Sequence, residues 1–189
     1  MTISSKILLI GGSGALGKSI IKSKYFKNLD SPKKNNLNLM NSSSIEKFLK
    51  KKYNLIINCA AIARMKECEK NPLKAININI IGTSNLVREI IKYENELKKK
   101  IKLIHISTDG VYPSTNGNYS EKSKLKPYNI YGWTKMHAEY CVQNLSNYII
   151  IRTRFFDKTK IRFNTAAIDI FTSMIEVQKL VKKIKYMSL

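Results

Sequence analysis

The feature that most constrains this chain is a short apolar run ending in glycines. Residues 6–10 read KILLI, and Gly11-Gly12-Ser13-Gly14-Ala15-Leu16-Gly17 follow at once, then Lys18-Ser19-Ile20-Ile21-Lys22. Strand, glycine turn and helix in direct succession give such glycine spacing its meaning. Glycines at 11, 14 and 17 turn tightly, let a pyrophosphate approach backbone N–H groups, and let the helix pack close to the strand. The helix N-terminus adds a partial positive charge. The loop from Gly11 through Ser13, Gly14, Ala15 and Leu16 to Gly17 is therefore read as a dinucleotide-binding turn, against the plainer reading of a tight turn with no ligand.

The rest of the chain repeats the alternation. Residues 53–59 (YNLIINC), 101–107 and 148–153 are apolar runs of strand length, and near-continuous runs suit a parallel sheet covered on both faces. Helical patterns occupy 42–52, a long stretch opened by Asn71-Pro72, 128–144 and 165–179. Ser42, Ser43 and Ser44 are candidate caps of the first of these. Residues 25–29 make a poor second strand, 36–39 read as a short third, and 182–187 read as the start of a strand that the chain abandons. The expectation is an α/β, Rossmann-like doubly wound fold, a mainly parallel sheet with helices on both faces. Ligands then bind at the carboxyl ends of the strands. The glycine loop, Cys59-Ala60-Ala61, Ser107-Thr108 and Arg152-Thr153-Arg154 should gather on one rim, the small residues Ala60 and Ala61 leaving room for a cofactor.

At 189 residues the chain is read as one domain spanning 1–189. No apolar stretch is long enough to span a bilayer, and no signal peptide is read at the N-terminus, so the expected location is cytoplasmic. Three cysteines and two histidines, scattered and without ligand spacing, predict neither a disulfide framework nor a metal site. The net charge of +21 attracts anions in general. Its lysines are spread along the chain, so no specific nucleic-acid partner is expected.

Residues 103–135 carry the chemistry. An apolar strand ends in Ser107-Thr108-Asp109, and a later helix start places Tyr131 and Lys135 four apart, on one helix face. An ordinary tyrosine, with a pKa of about 10, is a poor proton carrier at neutral pH. A neighbouring ammonium favours the phenolate. With the Thr108 hydroxyl on the same oxygen, the set can protonate an alkoxide as hydride arrives. Cofactor choice stays open: Asp30 favours a free ribose 2′-hydroxyl, Lys33 and Lys34 a 2′-phosphate. The lysines tip the reading toward NADP over NAD.

These pieces resemble the extended short-chain dehydrogenase/reductases, within them the dTDP-4-dehydrorhamnose reductase branch. The carrying motifs are GGSGALG (11–17), INCAA (57–61), NINIIGTSNL (77–86), STDGVYP (107–113), YSE (119–121) and YGWTK (131–135). The resemblance implies that the glycine loop, Cys59, Ala60, Ala61, Tyr131 and Lys135 bind the cofactor. It makes Tyr131 the acid/base, Lys135 the residue that lowers its pKa, Thr108 the catalytic hydroxyl and Asn79 the asparagine that supports the lysine through water. It implies reduction by NAD(P)H of the 4-keto group of a nucleotide-linked deoxysugar, a nucleotide-sugar precursor step. The same fold also serves epimerases and dehydratases, and non-catalytic dinucleotide-binding subunits that regulate a partner. Relatives usually continue into a C-terminal lobe that holds the sugar nucleotide. The expectation here is that most of this lobe is missing, or is supplied by a partner chain or a second copy in a homodimer.

Overall fold

The computed structural model describes residues 6–115, 117–159 and 173–189. Five parallel strands form the central sheet: β1 (Ile7–Ile10), β2 (Leu29–Asp30), β3 (Leu55–Asn58), β4 (Lys102–Ser107) and β5 (Tyr148–Arg152). Their spatial order is β2-β1-β3-β4-β5, with Ile7 opposite both Leu29 and Leu55, Asn58 opposite His105, and Ser107 opposite Arg152.

Side chains of a strand alternate between faces, and here both faces are apolar. Leu8, Ile10, Ile56 and Leu103 join one core with α2 (Ser42–Leu49), α5 (Gly82–Leu97) and α6 (Ile130–Val142), through Ile45, Leu86, Ile90 and Val142. Ile7, Leu9, Leu55, Ile57 and Ile104 join the other with α1 (Ala15–Ser23) and α7 (Val177–Met187), through Leu16, Ile20, Leu180 and Ile184. This two-sided cover is what the continuous apolar runs predicted. Between β3 and α5 lie α3 (Met65–Lys70), α4 (Pro72–Ala75) and one wide, π-helical turn (Ile76–Ile81). Pro72 starts the helical run at its first position, where it has no intrahelical N–H to lose. Beyond β5, β6 (Arg154–Phe156) pairs in parallel with β7 (Met174–Glu176). No helix among the described residues is long and apolar enough to cross a membrane.

Four local readings are corrected. Residues 36–39 form turns, not a strand: Asn36 and Leu37 N–H groups donate to the Lys33 carbonyl, Ser44 bonds the Asn36 carbonyl and the Asn38 N–H, and Asn85 bonds the Leu39 carbonyl. Leu37 and Leu39 nonetheless reach the core, so their alternation was real and their ladder was not. The second strand is only Leu29–Asp30, entered through Asn28 at φ 54°. Asn41, not a serine, caps α2, accepting from the Ser44 N–H at 3.1 Å. Residues 182–187 belong to a helix. Val177, Leu180, Val181 and Ile184 fall at helical spacing and are all buried, which outweighs the short alternation of lysines and apolar residues. Of the helix expected over 165–179, residues 165–172 lie outside the described residues, and 174–176 are strand.

Candidate active site at the carboxyl rim

The strand order reverses at β1, whose neighbours β2 and β3 leave in opposite directions along the chain, and ligand crevices form at such points. The glycine loop lies there. Gly11 has φ +85°, and a Cβ on it would fall 2.6 Å from the Ala60 nitrogen. A Cβ on Gly17 would fall 2.4 Å from the Gly11 carbonyl oxygen. Both positions therefore exclude any side chain, and the turn lies directly against Cys59-Ala60. Gly14 begins α1 without a side-chain cap, and Ser13, Gly14 and Ala15 are exposed, so the first N–H groups of the helix face outward. Leu16 is different: its side chain is buried in the core, which leaves only its backbone for a ligand. Cys59 and Ala60 pack on opposite cores, Ala61 is half-buried, and burial pushes the Cys59 thiol up to about 12.

At the end of β2, Asp30 is already engaged. Tyr53 donates its hydroxyl to the Asp30 carboxylate, and Lys51 Nζ lies 3.4 Å away. Ser31 takes the place beside the loop, with its Oγ 2.1 Å from where a Cβ on Gly12 would sit. Lys33 and Lys34 are exposed just beyond.

Thr108 follows β4 and caps a short 3-10 turn (Asp109–Val111), accepting from the Gly110 N–H at 3.1 Å. Helix α6 docks on that turn through Gly132, whose absent Cβ would meet the Gly110 carbonyl oxygen at 2.2 Å. Asn129 caps α6, accepting from the Gly132 N–H at 2.7 Å, and Glu69 accepts from the Ile130 N–H at 2.8 Å. This close docking brings Tyr131 into the reach of the Thr108 hydroxyl, which itself donates to Asp109 Oδ1 at 3.2 Å. Burial pushes the Tyr131 phenol up to about 12; the Thr108 hydroxyl and the Arg154 guanidinium oppose that rise, and Asp109 adds to it. Arg154 Nε is 3.1 Å from the Asp109 carboxylate.

One turn along α6, Lys135 is buried, with Nζ turned to His105 Nε2 at 2.9 Å. Burial pulls its pKa down to about 8, with Glu139 and Cys59 acting against that fall. In this arrangement the cation that acts on Tyr131 is Arg154, and Lys135 faces the strand instead. Asn79 sits in the π-helical turn, fully buried. It accepts from the Ile62 N–H at 2.8 Å, and donates to the Ile62 carbonyl at 3.1 Å and to Thr134 Oγ1 at 2.9 Å. Its bonds thus tie the loop after β3 to the residue before Lys135. Asn85 bonds the Leu39 carbonyl and Asn77 is exposed, so of the three helix asparagines it is Asn79 that bonds to α6.

Several site residues escaped the sequence reading. Ser107 is not free: it donates to Glu139, whose carboxylate also takes Arg152 Nη2 at 2.8 Å. Arg152 in turn reaches the Tyr112 hydroxyl at 3.0 Å. The signal for Glu139 was present, since it stands at i+4 from Lys135 and i+8 from Tyr131 on the face that must meet the sheet. His105, inside an apolar strand, carried a similar signal.

The family whose description is RmlD substrate binding domain matches residues 5–178. The beta subunit of methionine adenosyltransferase 2 from Rattus norvegicus is 29% identical over 149 residues, 74% of this chain and 43% of that protein. A dTDP-4-dehydrorhamnose reductase from Aggregatibacter actinomycetemcomitans is 30% identical over 162 residues, 79% of this chain and 51% of that protein. The crystal structure of dTDP-4-dehydrorhamnose reductase from Bacillus anthracis in complex with NADP has a TM-score of 0.74 at 27% identity, covering 84% of this chain and 56% of that one. The chain spans about half the length of the curated relatives it matches.

Proposed function

We propose, from the premise that this chain belongs to the RmlD substrate-binding-domain family, that it binds NADP(H) on the glycine loop and reduces the 4-keto group of a nucleotide-linked deoxysugar. The observation that carries the reading is the buried Tyr131 phenol beside the Thr108 hydroxyl, at the carboxyl ends of the strands where the glycine loop also lies. A phenol with a pKa pushed up to about 12 stays protonated at neutral pH. It can give that proton to a stronger base, an alkoxide, which suits reduction better than oxidation. Thr108 orients the same oxygen, and Asn79 and Gly132 hold α6 where both groups meet it.

The residues that would hold the cofactor fit it. The backbone of Gly11 to Gly17 offers close approach and uncapped N–H groups to a pyrophosphate, and Ala60-Ala61 give room beside it. The bound nicotinamide supplies a hydride to the carbonyl carbon. Tyr53 and Lys51 both take Asp30 Oδ2, so part of this carboxylate is already committed to the protein. Ser31, Lys33 and Lys34 favour a 2′-phosphate, hence NADP over NAD.

The wall that would hold the sugar nucleotide is proposed to come from a partner chain or a second copy. A second reading has its own support in the similarity to a methionine adenosyltransferase subunit: a dinucleotide-binding subunit that regulates a partner. Thermal unfolding with each cofactor, followed by turnover of a 4-keto sugar nucleotide, separates the two. Saturating NADPH should raise Tm by about 5–10 °C under either reading. Oxidation of NADPH on adding substrate is expected only of the reductase. No shift with NADPH or NADH would contradict both.

A further inference from the structure

Three polar side chains lie sealed in a line beneath the rim: Asn58 ending β3, His105 within β4 and Lys135 on α6. The line has a direction. The Ala60 N–H can only donate, and it donates to Asn58 Oδ1 at 3.1 Å. That fixes the amide, so the donor Asn58 Nδ2 is what faces His105 Nδ1 at 3.2 Å. Nδ1 must then carry the lone pair. Burial, and next to it Lys135, hold the His105 pKa well below the ordinary histidine range, so the ring is neutral. A neutral ring with its lone pair on Nδ1 bears its proton on Nε2. Nε2 faces Lys135 Nζ at 2.9 Å, and only an uncharged amine accepts there.

An ammonium at Lys135 needs the reverse. The lone pair must move to Nε2 and the proton to Nδ1, which then meets the Asn58 amide donor. Turning that amide over shifts the conflict to the Ala60 N–H. Each arrangement with a charged lysine leaves the buried Asn58 amide donor facing another donor, which is costly.

We propose that Asn58 and His105 are positioning residues that lower the proton affinity of Lys135 in the free protein and tie lysine protonation to a change of tautomer at His105. The proposal rests on the reductase reading only for its catalytic consequence. The other groups facing Lys135 do not cancel the effect. Glu139 favours the ammonium, but its carboxylate is shared with Ser107 and Arg152. The Cys59 thiol stays neutral, pushed up to about 12 by burial, and the Tyr131 phenol stays neutral for the same reason. An ammonium that His105 accommodates poorly is available to acceptors outside the line, which is where the resemblance places the cofactor.

The chain has two histidines, so ring ¹⁵N shifts of the 189-residue protein, assigned with His137→Gln, report the His105 tautomer directly. Above the Lys135 pKa of about 8, His105 should carry its proton on Nε2, and lowering the pH through that value should convert it toward Nδ1–H. Asn58→Asp keeps an acceptor for the Ala60 N–H and adds one for Nδ1–H. In that variant Nδ1–H should persist across the whole range, and the basic limb of kcat/KM should move up by at least one pH unit, about tenfold in proton affinity. A native His105 carrying Nδ1–H above that pKa overturns the proposal, as does an Asn58→Asp variant with the native tautomer behaviour. If Asn58→Asp does not fold, the native spectrum decides alone. Failure to oxidise NADPH would remove the reductase reading and leave the tautomer result standing.

Discussion

Tyr131 and Lys135 share one face of α6, yet burial drives their proton affinities in opposite directions. The phenol holds its proton more tightly than a free tyrosine, the amine less tightly than a free lysine. The second effect is a stability statement. The lysine's folded pKa of about 8 lies below its unfolded value of 10.5, so between these the unfolded chain binds more protons and stability rises with pH. Below pH 8 the native protein carries the full penalty, at most about 3 kcal/mol for a shift of this size. Lys135→Met, which keeps the volume and removes the charge, should therefore be more stable than the native protein at neutral pH. Its advantage should shrink as pH climbs toward 10.5, measured by denaturant unfolding at a series of pH values. A constant advantage at every pH would show that packing, not protonation, separates the two.

At the scale of elements, α6 is where the site is assembled, and Gly132 sets how closely it docks. An alanine there would place Cβ 2.2 Å from a backbone oxygen that has no freedom to rotate away. Gly132→Ala should cost about 1–3 kcal/mol, and should lower turnover further by moving Tyr131 off Thr108, while leaving the glycine loop's grip on the cofactor unchanged. On the opposite face, Leu180→Ala should cost about 2–5 kcal/mol, because α7 closes the second core beside α1. The legibility of these elements differed for physical reasons. Strands β1, β3, β4 and β5 were readable because burial on both faces leaves near-continuous apolar runs. That the glycine loop, Cys59 to Ala61, Thr108 and Thr153 lie at one end of the sheet was readable because residues that follow parallel strands gather at their carboxyl ends. Residues 36–39 misled because Leu37 and Leu39 alternate into the core from turns whose polar groups are met by Ser44 and Asn85, far along the chain. Residues 182–187 misled because lysines interleave an apolar stripe that only the full span from Val177 reveals as helical. Asn58 and His105 were invisible as a pair: they are 47 residues apart and meet only through the register of β3 on β4.

For the whole molecule, the net charge of +21 and the partly committed Asp30 carboxylate both favour the more anionic cofactor under the proposed function. NADPH should bind more tightly than NADH. Its affinity should also fall more steeply with added salt, because the extra phosphate meets Lys33 and Lys34 at an exposed, screened site. Fluorescence titrations of both cofactors at low and high ionic strength check this, and equal salt slopes would remove the lysines from cofactor choice. The proposed reaction also requires a sugar nucleotide held against Tyr131, and the chain spans about half the length of the curated relatives it matches. The central claim, that the rim is a reducing site, is tested most directly by single-turnover oxidation of bound NADPH on adding a nucleotide-linked 4-keto sugar, native against Tyr131→Phe. The account predicts that the native chain, with any partner it requires, reduces the sugar, and that Tyr131→Phe binds NADPH equally well and reacts about 10²–10⁴-fold more slowly. Equal rates for the two proteins would contradict it.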